Sequence, residues 1–390
     1  MERRSRRWTG LLDLARRTQR FTFERLGYLG GAPDCVHASY LSYRRSDAEP
    51  EWADQWYITS QIGADAALLA ADPSVGTCTI EKAAAFFDRM WDPTEGGYLA
   101  RGRPDGSLFL RPDKYCDDHG HAGLMLIDAY EATGDEQYLA RARRAADFLM
   151  RGGVWDDTFG GGFWWNTRRG DSEEGKPAQT NGLAVDLFAQ LYGLTGQPSY
   201  RDWALKAVDW LNRTLHEPEA GLYRWSVHFR DLGRRRGEVL AERFFNYDQG
   251  IIIEALLSLA KHISPDRAYL ERARTIAGRL EPAFWHPGEG GFNLEAGVEH
   301  VMAIYSSWLT PSLLALYRVD RDECWPALAR RNVDALSGYV LAPDGGYFKA
   351  AALQNGAWVV DRTRDTAANA GMQRALAVLA AEGEPGVWTG

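Results

Sequence analysis

Asp117 and Asp118 are adjacent in Lys114-Tyr115-Cys116-Asp117-Asp118-His119-Gly120-His121, just ahead of a helical pattern running from about Ala122 to Thr133. Cleaving a glycosidic bond needs one carboxylic acid to protonate the leaving oxygen and a second carboxylate to attack or stabilise the sugar cation. These neighbours could supply both. At a helix start they would also meet unpaired backbone N–H groups, which can hold one Asp ionised while the other keeps its proton. The plain alternative is an N-cap Asp followed by a first-turn Asp, with no chemistry attached. His119, His121, His228 and His300 offer a different chemistry, proton transfer near neutral pH, against the ordinary reading of loop histidines making routine hydrogen bonds. A metal site built from Asp117, Asp118, His119 and His121 does not follow, because histidines two apart on a helix point to different faces.

The elements that must position these residues repeat along the chain. A turn signature occurs at Trp91-Asp92-Pro93-Thr94-Glu95-Gly96-Gly97-Tyr98 and again at Trp155-Asp156-Asp157-Thr158-Phe159-Gly160-Gly161-Gly162-Phe163. Weaker copies start at His216, Trp285 and Leu341, about every 55–70 residues, which is room for two helices and a loop. Between them lie Ala132-Thr133-Gly134-Asp135, Leu194-Thr195-Gly196-Gln197-Pro198 and Ser264-Pro265-Asp266, where Gly ends one helix and Asp or Pro opens the next. Apolar spacing near 3.6 predicts helices at 52–71, 78–90, 119–133, 135–151, 181–195, 198–214, 246–262, 267–282, 302–318, 322–338 and 365–382. The stretch Leu11 to Leu26 supplies the twelfth and pairs with the last. Six hairpins then close into an all-α (α/α)6 barrel, a single domain over 1–390. Period-2 runs leave room only for short ribbons around 98–109 and 221–229.

Composition fits a soluble enzyme and argues against other partners. The net charge of −8 disfavours nucleic acid and anionic membranes, and no segment approaches the apolar run of about 20 residues that spans a bilayer. The 15 Trp, 17 Tyr and 40 Gly among 390 residues suit a carbohydrate cleft, where flat rings lie on apolar sugar faces, although aromatics also build ordinary cores. Cys35, Cys78, Cys116 and Cys324 show no paired spacing and read as reduced thiols. The basic N-terminus is not followed by an apolar signal core, so a cytoplasmic location is the expectation. Neither a Gly-rich phosphate loop after a strand nor a nucleophile elbow is present, and the reading calls for no cofactor and no metal.

In such a barrel the inner helices begin after the long loops, so the functional mouth gathers at their N-termini. The residues there are polar and aromatic: Gln55, Trp56, Tyr115, Asn181, Asn246, Tyr247, Asp248, Gln249, Tyr305 and Trp308, with Trp164 and Trp165 in the loop after Gly162. All are candidate substrate-binding residues. Capping accounts for one polar residue per helix, but Asn246-Tyr247-Asp248-Gln249 exceeds what a cap requires.

Four of these stretches together resemble glycoside hydrolase family 76, the retaining endo-α-1,6-mannanases and related transglycosylating enzymes. The carriers are Tyr115-Cys116-Asp117-Asp118, Gly161-Gly162-Phe163-Trp164-Trp165-Asn166, Asn181-Gly182-Leu183 with Leu191-Tyr192-Gly193-Leu194-Thr195-Gly196, and Asn246-Tyr247-Asp248-Gln249-Gly250. The resemblance implies an (α/α)6 barrel, Asp117 as nucleophile, Asp118 as general acid/base, and an α-linked mannose-containing glycan as substrate. The chain departs from the family's usual pattern at His119-Gly120-His121. The competing reading keeps the barrel but makes the protein resemble N-acylglucosamine 2-epimerases, sugar isomerases using His as acid and base. A third reading is a non-catalytic glycan-binding or interaction module in which the Asp pair only caps.

Overall fold

The computed structural model describes residues 2–110, 114–288 and 290–382. Met1, 111–113, Glu289 in the fourth turn copy, and 383–390, all within the expected domain, lie outside the described residues. Twelve helices occur among the described residues, and they form two concentric rings. The inner ring is α2 (Gln55–Ala71), α4 (Cys116–Thr133), α6 (Ala178–Thr195), α8 (Asn246–His262), α10 (Ala303–Asp320) and α12 (Thr366–Glu382). Each packs on the next, and α12 packs back on α2. Outside them lie α1 (Glu2–Leu26), α3 (Cys78–Arg89), α5 (Glu136–Arg151), α7 (Pro198–Thr214), α9 (Arg267–Phe284) and α11 (Cys324–Val340), with α1 closing the ring on α12. The architecture is the (α/α)6 barrel.

The two rings differ because their surroundings differ. An inner helix touches neighbours on every side, so in α6 the residues from Ala178 to Ala189 are all buried. An outer helix needs one apolar stripe. In α5 the buried set is Tyr138, Leu139, Ala142, Ala145, Ala146, Phe148 and Leu149, while Arg141 and Arg144 reach across to Asp88 of α3 at 2.7 and 2.5 Å. The short turns work as their residues require. Gly134 and Gly196 end α4 and α6 in the left-handed conformation, Asp135 caps α5 by accepting from the Gln137 N–H at 2.9 Å, and Pro198 opens α7.

The long loops carry short antiparallel ribbons. Arg101–Gly102 pairs with Phe109–Leu110 and Ala53–Asp54, and Ser226–His228 pairs with Val239–Leu240 and Lys176–Pro177. A further hairpin, Ala350–Gln354 with Ala357–Asp361, extends beyond the expected ribbons and carries His300–Met302 on its edge. Its two-residue turn is Asn355-Gly356, both at positive φ, the dipeptide that suits the twist of a hairpin.

The expectation of four reduced thiols is corrected. Cys35 and Cys78 form a disulfide with Cα atoms 6.2 Å apart, leaving Cys116 buried and Cys324 exposed as free thiols. Strand Leu41–Tyr43 packs on α3, which brings the loop that contains Cys35 to the first residue of that helix. A separation of 43 residues leaves no spacing motif to read. Among the described residues no helix is long and apolar enough to cross a membrane.

Candidate active site

Four of the inner helices, α4, α6, α8 and α12, use their opening residues in the same way. The fourth residue reaches back to the aromatic of the preceding Gly-rich loop: the Tyr98 N–H donates to His119 Nε2 at 2.7 Å, Phe163 to Asn181 Oδ1 at 2.8 Å, Tyr223 to Gln249 Oε1 at 2.9 Å and Tyr347 to Asn369 Oδ1 at 2.7 Å. The amides return the bond, Asn181 Nδ2 donating to the Phe163 and Pro177 carbonyls and Gln249 Nε2 to those of Tyr223 and Phe245. These pins set the loops on the helix starts. Gly162 allows the approach, since a Cβ there would lie 2.5 Å from the Trp210 ring and its φ is +89°.

Beside these fourth residues, several second and third residues of the inner helices line the axial cavity. Trp56, Asp117, Gln179 and Tyr247 are second residues, Asp118 and Tyr305 third, and one turn further His121, Leu183 and Trp308 join them. These nine residues, with Arg45, Asp54, Ala100, Arg101, Leu110, Tyr115 and Trp165, line a cavity of about 480 Å³. Its wall is aromatic. Trp56 stacks on Tyr305 at 5.8 Å, Tyr247 lies 4.6 Å from Tyr305, and Trp308 stands edge-on to all three. On the far side Tyr115 packs on Trp165 at 4.8 Å.

The two carboxyls occupy different environments although they are neighbours. Trp165 Nε1 donates to Asp117 Oδ2 at 2.9 Å and the Asp118 backbone N–H to Asp117 Oδ1 at 3.0 Å. Burial raises the Asp117 pKa, and these donors with the Gln179 amide oppose it, leaving the group at about 6. Asp118 faces the cavity, and burial, then the Asp117 charge, then that of Asp54 push its pKa well above the carboxylate range. Both carboxyls are raised, but Asp117 ionises more readily than Asp118, the order that nucleophilic attack by one and proton donation by the other demand. Asp54 itself accepts from Arg101 at 2.7 and 3.2 Å, with Arg45 at 3.4 Å, forming the charged rim of the cavity.

The structure brings together Trp56, Tyr115, Asp117, Asp118, Trp165, Tyr247, Tyr305 and Trp308, and it places the other candidates away from the cavity lining. Trp164 is 1% exposed, tucked beneath the loop with its Nε1 donating to Asp156 Oδ2 at 2.8 Å and the ammonium of Lys176 over its ring. Asn181 and Gln249 are the loop pins. Asn246 donates to the Asn293 carbonyl at 2.8 Å, and Gln55 is a fully buried first residue of α2. Asp248 occupies the α8 position that Asp118 has in α4, but it is buried outside the lining, and burial raises its pKa well above the usual range against the opposing backbone of Gln179. Of the four histidines only His121 lines the cavity. His119 is a pin, its Nδ1–H donating to the Tyr115 carbonyl at 2.6 Å, and His228 and His300 belong to the loop ribbons. Arg45, Ala100, Arg101 and Leu110 come from loop segments that no sequence motif marks. His121 is the residue a spacing argument reaches, being one helical turn beyond Asp117.

A sequence model described as glycosyl hydrolase family 76 matches residues 109–319. The fold is similar to that of the GH76 α-mannanase of Bacteroides thetaiotaomicron, with a TM-score of 0.74 at 17% identity over 95% of each chain. It is similar also to the α-1,6-mannanase GH76A of Salegentibacter sp. HEL1_6, in an inactive variant with two consecutive Asp changed to Asn and in complex with α-1,6-mannotriose. That likeness has a TM-score of 0.70 at 16% identity, over 95% of this chain and 99% of the other. A cellobiose 2-epimerase of Bacteroides fragilis is 27% identical over 122 residues, a segment that is 31% of this chain and 31% of that protein.

Proposed function

This chain belongs to glycosyl hydrolase family 76, and on that premise we propose that it is a retaining glycosidase acting on α-1,6-linked, mannose-containing glycans through Asp117 and Asp118. The observation that carries the reading is the division of labour between the two carboxyls. Asp117, hydrogen-bonded by Trp165, is disposed to attack. Asp118, raised by burial and by its neighbour, is disposed to donate a proton. The mannotriose held by the Asp-substituted Salegentibacter enzyme supports both the sugar and the pair.

In this mechanism the glycan lies against Trp56, Tyr305 and Trp308, whose faces cover apolar sugar surface and exclude water. Asp118 gives its proton to the glycosidic oxygen as the C1–O bond breaks, and Asp117 Oδ forms a bond to C1 on the opposite face. The leaving sugar departs as an alcohol and Asp117 is esterified. Asp118, now ionised, takes a proton from water as the water oxygen attacks C1, which frees Asp117 as a carboxylate and returns Asp118 to its acid form. Two displacements preserve the anomeric configuration.

The test is incubation with α-1,6-linked manno-oligosaccharides, with products followed by proton NMR from the first minutes. Early release of an α-anomer, lost in Asp117→Asn and in Asp118→Asn with the fold intact, supports the reading. An initial β-anomer, or full activity in either variant, defeats it. The epimerase alternative is the weaker reading, because burial and the nearby Arg374 charge push the one cavity histidine, His121, to about 3, too low for an effective base. Exchange of the C2 hydrogen of a free sugar in deuterated water, without hydrolysis, would favour it instead.

A further inference from the structure

We propose that His121 is a specificity-determining residue whose Nε2 accepts a hydrogen bond from a ring hydroxyl of the sugar that Asp117 attacks. This inference rests on the glycosidase reading above. His121 follows Asp117 by four residues on α4, so the two side chains share a helix face, and both line the cavity. Its ring is held on two sides. Trp308 stacks on it with centroids 5.4 Å apart and planes 17° from parallel, and Thr59 Oγ1 lies 3.2 Å from its Nδ1.

The threonine decides the tautomer. Thr59 Oγ1 is 3.1 Å from the carbonyl oxygen of Gln55 and 3.1 Å from that of Trp56, both on its own helix. A hydroxyl has one proton, and the bond back to a carbonyl of its own helix is the usual one for a helical threonine. With that proton on a carbonyl, the Thr59 oxygen accepts from His121 and Nδ1 carries the imidazole hydrogen. The neutral ring then leaves Nε2 as a bare lone pair, and burial with the Arg374 charge keeps the ring neutral across the working pH range. Among the described residues Nε2 has no protein partner, although His121 is only 4% exposed. An acceptor of this kind, four residues beyond Asp117 in an aromatic-walled cavity, is complementary to a hydroxyl donor. Only a sugar that directs a hydroxyl to that point satisfies it, and an epimer or deoxy sugar leaves it unpaired.

The experiment measures binding of α-1,6-mannotriose and a set of its monodeoxy analogues by tryptophan fluorescence, in the parent protein and in His121→Phe, with turnover followed in parallel. Phe keeps the stack on Trp308 and removes the acceptor. In the parent one deoxy analogue is expected to bind roughly tenfold more weakly than mannotriose, and in His121→Phe that difference should vanish. His121→Gln, which restores an acceptor oxygen, should recover part of it and serves as the second variant where His121→Phe does not fold. Discrimination that persists unchanged in the variants overturns the proposal while leaving the glycosidase reading intact. Binding with the expected discrimination but no turnover sustains the His121 assignment and defeats the glycosidase reading. A parent protein that binds no mannoside defeats both. Nitrogen-15 NMR of the imidazole adds an independent measure: a hydrogen on Nδ1 is expected between pH 5 and 8, and a hydrogen on Nε2 would overturn the argument.

Discussion

The indole N–H of Trp165 donates to Asp117 Oδ2 at 2.9 Å, a bond from a loop to the first turn of α4. It stabilises the ionised form of Asp117, the form that the proposed attack requires. Activity should therefore rise with pH through about 6 and fall again where Asp118 loses its proton. Trp165→Phe removes a donor to a charged group, an interaction of about 1.5–3 kcal/mol. The Asp117 pKa then moves up and the acidic limb shifts to higher pH, with kcat/KM at pH 5.5 falling by roughly ten- to a hundredfold and less at pH 8. A pH profile of kcat/KM checks it, and an acidic limb that stays in place would refute the role.

Asn181 separates folding from binding. Its side chain accepts from the Phe163 N–H and donates to the Phe163 and Pro177 carbonyls, all buried. Asn181→Ala leaves these groups unpaired and should cost about 2–4 kcal/mol in urea unfolding, while manno-oligosaccharide affinity changes less than twofold in the folded fraction. Weakened binding at unchanged stability would return Asn181 to the substrate.

The same pin explains what could and could not be read from the sequence. Twelve helices and their pairing were legible because the Gly and Asp/Pro punctuation at Gly134-Asp135 and Gly196-Gln197-Pro198 acts locally, and local chemistry is written in adjacent residues. The Asp pair stood out for the same reason. Asn181 and Gln249 carry polar groups at a helix mouth, but only the three-dimensional packing tells that those groups turn back onto a loop instead of toward a ligand. Arg45 and Arg101 reach the cavity rim from segments distant in sequence, held there by Asp54. The Asn355-Gly356 hairpin, by contrast, carried a readable turn signal.

The Cys35–Cys78 bond closes a loop of 43 residues over the start of α3. In the chain-entropy account a loop of that size stabilises the fold by about 4 kcal/mol. Reduction, or Cys78→Ser, should lower the Tm by several degrees and change kcat/KM little, since neither cysteine lines the cavity. A Tm insensitive to reductant would show that the bond carries no weight. The bond also bears on the expectation of a cytoplasmic location, because cytosolic thiols are kept reduced. Thiol trapping on intact cells decides it: a fully oxidised Cys35–Cys78 pair would place the protein in an oxidising compartment, and free thiols would keep the cytoplasmic expectation.

Asp186 sits deeper in the barrel, on α6, where its Oδ1 accepts from Ser258 at 2.6 Å and from Gln190 at 2.9 Å. Burial and then the Glu254 charge raise its pKa to about 7, far above the value of roughly 3.9 in an unfolded chain. Between those values the folded protein holds a proton that the unfolded chain has released. Stability from this group is therefore full below about pH 4, declines as pH rises toward 7, and stays low above it. Asp186→Asn keeps the acceptor oxygen and removes the titration. The variant should be no more stable than the parent near pH 4.5 and more stable near pH 7.5, by on the order of 3 kcal/mol if the full shift is expressed. Urea unfolding at the two pH values measures this directly. An equal difference at both would mean that Asp186 is ionised in the folded protein, and that Arg374, which reaches Asp128 at 2.8 Å in the same part of the barrel, compensates its charge.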